Sequence, residues 1–222
     1  ELPGEEAGLI PDPDWKRVSQ GENWATGDTY IAAMGQSFVL ATPLQVLVSA
    51  AVIANDGKYM KPTLLREIQD AEGNVIQPFT PTLVRDITKD PVIAEYDERM
   101  FTTGEFKTVE PWVIELVQEG MRMTVEEGGT ADAQFAGMTV QSAGKTGTAE
   151  YCDARADKKG LCKSGQWPAH AWYVGYAPYD DPEIAVVVFV YNGTEGSTVA
   201  APVARKVMET YFELKALDSG QQ

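Results

Sequence analysis

The sequence predicts an α/β domain of the α+β type, one antiparallel sheet with helices packed on its faces. Three observations lead there. Strand candidates follow one another at residues 139–150, 171–177 and 183–191, and only Tyr179-Asp180-Asp181-Pro182 separates the last two. So short a link suits antiparallel neighbours, because a parallel crossover needs about a dozen residues or more. Residues 184–191 form a nearly continuous apolar run, which implies that both faces of that strand are covered. Finally, helical patterns flank the strands at 42–55, 110–127 and 201–215.

Taken in chain order, residues 1–29 scatter Pro3, Pro11, Pro13, Gly4, Gly8, Gly21 and Gly27 among charges and read as an irregular lead-in. Thr42 suits an N-cap with Pro43 at the first helical position. Leu44, Val46, Leu47, Ala50, Ala51 and Ile53 then mark an apolar face before Asn55-Asp56-Gly57 stops the helix. Residues 58–79 fit two short strands about the turn Asp70-Ala71-Glu72-Gly73-Asn74. Residues 80–107 are polar and interrupted by proline, and read as loop. Glu110-Pro111 opens the next helix, with Trp112, Ile114, Leu116, Val117, Met121 and Val125 as its buried side. In the last helix Val203, Val207, Met208, Tyr211 and Phe212 hold helical spacing.

Composition sets outer bounds. With 222 residues, 44% of them apolar and 23% charged, the chain can bury one sizeable core, and it has no internal period or low-complexity tract. A formal charge of -15 argues against nucleic-acid binding, which needs clustered Lys and Arg. No apolar run approaches the ~20 residues of a membrane span. The opening Glu1-Leu2-Pro3-Gly4-Glu5-Glu6 carries neither an initiator Met nor a signal pattern and reads as a cut point. Cys152 and Cys162 lie ten positions apart in a polar stretch, which suits a disulfide closing one surface loop in an oxidising compartment, with two free thiols as the alternative. A metal site is disfavoured by that spacing and by the single histidine, and no cofactor is implied.

The chemistry centres on Lys145-Thr146-Gly147-Thr148 in the first of the three strands. There a cation lines a cleft, and a residue without Cβ lets a substrate strand approach the backbone. Thr146 and Thr148, two apart, point to one side, where their hydroxyls can hold a carboxylate, and the Thr148 N–H can stabilise an oxyanion. The K-T-G element resembles that of penicillin-binding proteins and serine β-lactamases. Two further blocks narrow the likeness. Gly27-Asp28-Thr29-Tyr30, Met34-Gly35-Gln36 and Thr42-Pro43-Leu44-Gln45 lie upstream, and His170-Ala171-Trp172-Tyr173-Val174-Gly175-Tyr176-Ala177-Pro178, Pro182-Glu183-Ile184-Ala185-Val186 and Ala200-Ala201-Pro202-Val203-Ala204 lie downstream. Together the blocks resemble the class B penicillin-binding proteins, in particular the elongation-type transpeptidases.

That resemblance implies the penicillin-binding, serine β-lactamase-like transpeptidase fold, here incomplete on its N-terminal side, and a D,D-transpeptidase that cross-links peptidoglycan stem peptides through a serine acyl-enzyme. It implies β-lactams as inhibitors, an extracytoplasmic site, an N-terminal membrane anchor in the parent protein, and a glycosyltransferase of the elongation machinery as partner. Lys145 would supply positive potential, Thr146, Gly147 and Thr148 would bind substrate, and the Thr148 N–H would form half of an oxyanion hole. A Ser-x-x-Lys helix and a Ser-x-Asn loop should complete the cleft. The chain contains no Ser-x-Asn, and its one literal Ser-x-x-Lys, Ser142 to Lys145, falls in a strand, where positions three apart diverge. The nucleophile is therefore expected outside these residues, the chain alone is expected to be inactive, and apolar surface left exposed is expected to favour self-association. Smaller departures are Ser37, where the family usually has glycine, and Glu195-Gly196-Ser197 in place of a Gly-Gly pair.

His170 suits a place at the cleft rim or a structural role, since it has no evident Ser or Cys to activate. Trp172, Tyr173 and Tyr176 suit either a substrate wall or sheet packing. A serine β-lactamase and a non-catalytic β-lactam sensor or scaffold are the competing functional classes.

Overall fold

The computed structural model describes residues 3–220. In chain order the elements are α1 (Pro13–Gln20), α2 (Thr26–Ala33), α3 (Pro43–Ala54), β1 (Lys58–Met60), β2 (Glu67–Gln69), β3 (Val75–Pro78), β4 (Leu83–Asp86), β5 (Ile93–Tyr96) and β6 (Thr102–Lys107). There follow α4 (Pro111–Met123), α5 (Asp132–Phe135), β7 (Ala143–Glu150), α6 (Ala154–Lys158), β8 (Ala169–Ala177) and β9 (Ile184–Val190). A π-helical turn at Gly196–Ala200 then leads into α7 (Ala201–Asp218).

The main sheet has the order β7-β8-β9, antiparallel throughout. Its two faces carry two cores, as the unbroken apolar run of β9 requires. On one face Ala171, Tyr173, Ala177 and Val186 pack with Phe135 of α5, the π-helical turn, and Ala201, Ala204 and Met208 of α7. On the other, Ala143 and Tyr176 pack with Ala50 of α3 and Met121 of α4. Tyr173 and Met208 are wholly buried, and burial of a side chain of that size contributes about 2–3 kcal/mol.

Helix α3 starts on a reciprocal capping box. Thr42 Oγ1 accepts from the Gln45 N–H at 3.2 Å, and Gln45 Oε1 accepts from the Thr42 N–H at 2.9 Å. In α4 the expected buried side is only partly buried. Ile114 and Met121 point inward, but Trp112 and Leu116 are exposed, and the helix ends at Met123 rather than reaching 127. Likewise Val203 and Val207 of α7 face outward while Met208 and Ala204 make the contact with the sheet. Small residues, not the largest apolar ones, let the helices lie close against the strands.

Two stretches read as irregular are ordered. The lead-in contains α1 and α2, and α1 is capped by Asp12, whose Oδ1 accepts from the Trp15 N–H at 2.7 Å, with Pro13 behind it and Gly21 closing the helix at φ 69°. Residues 80–107 form β4, β5 and β6, of which β4 pairs with β1 and β5 with β6. These ribbons expose most of their side chains, β6 all six, so they carry no alternation that a sequence pattern can register.

Candidate active site

Strand β7 is the free edge of the main sheet and presents the K-T-G tetrapeptide along it. Its register on β8 sets Lys145 against Val174, Thr146 against Tyr173, Gly147 against Trp172 and Thr148 against Ala171. Alternation then puts Lys145 and Gly147 on the α3–α4 face, and Thr146 and Thr148 together on the α7 face. The two hydroxyls thus share a side, as their spacing predicts, while the lysine stem leaves from the other.

Lys145 is exposed, and its Nζ donates to the Thr146 carbonyl at 2.7 Å. The Thr146 and Thr130 hydroxyls are hydrogen-bonded at 3.0 Å, which ties β7 to the turn before α5. Thr148 is exposed, and its carbonyl accepts from Gln36 Nε2 at 3.0 Å. In an antiparallel ladder the pairing residues exchange both N–H and C=O, and the residues between them direct both groups the other way. The bond from Gln36 therefore marks Thr148 as one whose N–H is aimed off the free edge, where the oxyanion of an attacked carbonyl can be met.

Gly147 is enclosed from both sides. A Cβ there would lie 3.0 Å from Trp172 Cβ, and the π-helical turn brings Gly196 onto the opposite face, where its own Cβ would stand 2.4 Å from the Gly147 carbonyl oxygen. The backbone of the K-T-G strand is thereby fixed without a bulky neighbour over it.

Other residues singled out by the sequence lie apart from this edge. His170, second in β8, lies opposite Ala149, which is four positions from Lys145 and so roughly 13 Å along the strand. Its ring stacks on Tyr151 at 3.7 Å and meets Phe189 and Tyr191 at 5.0 and 4.9 Å, and its Nδ1 accepts from the Asn192 N–H at 3.2 Å. Burial pulls its pKa below the ordinary value, against a smaller opposing pull from Asp153. Tyr173 and Tyr176 are buried in the two cores, and Trp172 is half-buried against Phe189 at 4.6 Å. Ser142 is buried beside the Met138 sulfur while Lys145 is exposed, so that serine is no nucleophile for the lysine.

Cys152 and Cys162 are joined across a loop that contains α6, their Cα atoms 5.6 Å apart. Asp157 completes the one trio of metal-capable donors that converge among the described residues, and both sulfurs are spent on their mutual bond. Gln36, Thr130 and Gly196 complete the setting of β7 and were not expected as site residues. Gln36 had a signal, since Gly35-Gln36 lies within the upstream resemblance block. Nothing marked Thr130.

Residues 1–209 match the family described as the penicillin binding protein transpeptidase domain. The peptidoglycan D,D-transpeptidase MrdA of Haemophilus influenzae is 36% identical over 96% of this chain, which covers 30% of that protein. The crystal structure of Pseudomonas aeruginosa PBP2 in complex with WCK 5153 superposes with a TM-score of 0.68 at 32% identity, over 95% of this chain and 38% of that one. A structure of a peptidoglycan synthase complex that coordinates polymerization and crosslinking gives a TM-score of 0.65 at 34% identity, over 95% of this chain and 30% of that one. The chain thus spans about a third of the length of the proteins it resembles. It belongs to the penicillin-binding protein transpeptidase domain family.

Proposed function

We propose that this chain supplies the K-T-G wall of a peptidoglycan D,D-transpeptidase site, in a serine acyl-transfer enzyme that cross-links stem peptides and is acylated by β-lactams. The observation that carries the reading is the free edge of β7, with Lys145 exposed, the Thr146 and Thr148 hydroxyls on one side, and the Thr148 N–H directed outward. On that edge the end of a stem peptide aligns as an added strand. Lys145 raises the local positive potential, the two threonines hold a carboxylate, and the Thr148 N–H stabilises the oxygen of the attacked carbonyl as charge develops on it.

The attacking serine and its lysine are not among these residues, because the only Ser-x-x-Lys is divided between a buried serine and an exposed lysine. The acyl-enzyme forms when a serine oxygen outside this chain attacks the penultimate D-Ala carbonyl and D-Ala departs. An amine of a second stem peptide then takes the acyl group and frees the serine. The site would face the outer side of the cytoplasmic membrane, in a parent protein anchored there and working beside a glycosyltransferase.

Two measurements test this. Intact-mass analysis of the 222-residue chain after incubation with a labelled penicillin is expected to show no adduct, and a stable adduct would refute the assignment of the nucleophile. In a longer protein that carries this chain and does form an adduct, Lys145→Ala is expected to slow acylation by about a hundredfold or more, the scale of losing one preorganised electrostatic group. An unchanged rate would remove Lys145 from the site.

A further inference from the structure

Thr130 lies in the turn between α4 and α5, and its hydroxyl meets that of Thr146 at 3.0 Å, the one bond that either hydroxyl makes among the described residues. Thr146 is half-buried and Thr130 is exposed, so the pair sits at the rim of the K-T-G strand with one side open to solvent.

The turn does not need that bond to keep its shape. The Gly129 N–H donates to the Glu126 carbonyl at 2.9 Å, the Ala131 N–H to the Thr124 carbonyl at 2.8 Å, and the Gly128 N–H to Asp132 Oδ2 at 3.1 Å. A Cβ on Gly129 would stand 2.2 Å from the Met123 carbonyl oxygen and 2.4 Å from that of Thr124, so the turn lies in backbone contact with the end of α4. Ala131, on the other side of Thr130, is wholly buried in the core that Phe135 and α7 share. Thr130 is thus held between two fixed neighbours, and its side chain is left to serve β7.

Counting protons gives the bond a direction. A hydroxyl has one proton to donate and two lone pairs, so a pair of hydroxyls keeps one proton between the oxygens and leaves one free. A carboxylate only accepts. Thr146 can hold one only by donating its own proton to it, and Thr130 is then the donor within the pair. In the chain from Thr130 to Thr146 to carboxylate each bond polarises the next, and the last is of the stronger, charge-assisted kind. A carboxamide has both N–H and C=O, pairs with Thr146 in either proton arrangement, and so gains little from a fixed one.

We propose that Thr130 is a positioning residue for the carboxylate subsite: its hydroxyl donates to Thr146 Oγ1, commits the Thr146 proton to the ligand, and makes the subsite select an ionised carboxylate over a neutral carboxamide. The inference rests on the reading of the K-T-G edge given above and adds to it a residue outside the tetrapeptide.

The test uses a longer protein that carries this chain and is acylated by penicillin. Acylation by benzylpenicillin and by its carboxamide derivative is followed by intact mass over a range of concentrations, which separates binding from the acylation step. Thr130→Val keeps the shape and removes the hydroxyl, and because Thr130 is exposed the change removes no core packing. It should weaken binding of benzylpenicillin about three- to tenfold, the effect of one hydrogen bond, and leave that of the carboxamide within about twofold. Thr130→Ser should restore the preference for the carboxylate, and Thr130→Ala should lose it as Thr130→Val does. Equal weakening of both ligands, no weakening of either, or a preference that Thr130→Ser does not restore would overturn the proposal. Lys145→Ala separates the two readings. If it slows acylation as expected above while Thr130→Val changes nothing, this proposal alone fails, and if neither substitution has an effect, the reading of the edge fails and takes this proposal with it.

Discussion

Gly196 shows how one residue governs the K-T-G strand. An added Cβ would stand 2.2 Å from the Trp172 carbonyl oxygen and 2.4 Å from that of Gly147, and both are backbone atoms that cannot rotate away. Gly196→Ala should therefore push the π-helical turn off the sheet. A loss of about 1–3 kcal/mol is expected, the cost of overpacking a filled contact, read from urea unfolding. A change within about 0.3 kcal/mol would show that the turn is not seated there. Ser37 is the converse case. Its φ of 63° lies in the left-handed region, which costs a residue with a Cβ about 1–2 kcal/mol and costs glycine almost nothing. Glycine gives back part of that gain through its freer unfolded chain, so Ser37→Gly should stabilise by about 0.5–1 kcal/mol. A destabilised variant would mean that the Ser37 side chain compensates in a way its backbone does not reveal.

At the scale of elements, what the sequence made legible follows from how each segment earns its order. Helix α3 and strands β7 to β9 were readable because caps, turn residues and apolar runs coincide with burial on the main sheet. The same logic was available for α1, where Asp12-Pro13 repeats the Thr42-Pro43 arrangement, but the surrounding prolines and glycines masked it. Strands β4 to β6 were not readable, because two-stranded ribbons exposed on both faces need no apolar period. The shared strand of Lys145 and Thr148 could be read from the tetrapeptide, whereas Thr130 meets Thr146 only through tertiary folding. Polar anchors hold such ribbons instead. Asp86 of β4 is buried and accepts from Lys89 Nζ at 2.7 Å, from Thr88 Oγ1 at 2.6 Å and from the Thr88 N–H at 3.1 Å. The bond to Lys89 first, then those to Thr88, lower its pKa from 3.8 to about 2. A carboxylate with a lowered folded-state pKa stabilises fully above 3.8 and loses that contribution as pH falls toward about 2. Asp86→Asn should therefore melt below the parent chain at a pH of about 5, and the gap should narrow through that window. A gap that holds constant would show that Asp86 does not titrate with this linkage.

For the whole molecule, two opposing terms decide whether copies associate. Trp112 and Leu116 on α4, Val203 and Leu214 on α7, and Leu64, Ile76 and Phe79 around the β2–β3 ribbon leave large apolar side chains in solvent. Exposed apolar side chains favour pairing of surfaces where they adjoin one another. Against it stands a formal charge of -15 on 222 residues, which makes every approach of two copies repulsive. Salt acts on only one of these terms. Raising ionic strength from 0.1 M to 1 M shortens the screening length from about 10 Å to about 3 Å and removes most of the repulsion, while apolar contact is undiminished. Self-association should therefore strengthen with salt, and weight-average mass from sedimentation equilibrium should rise with both salt and protein concentration. A monomer at every salt concentration would mean that the exposed apolar side chains form no continuous surface. Association that weakened with salt would mean that charge pairs, not apolar faces, hold the copies together.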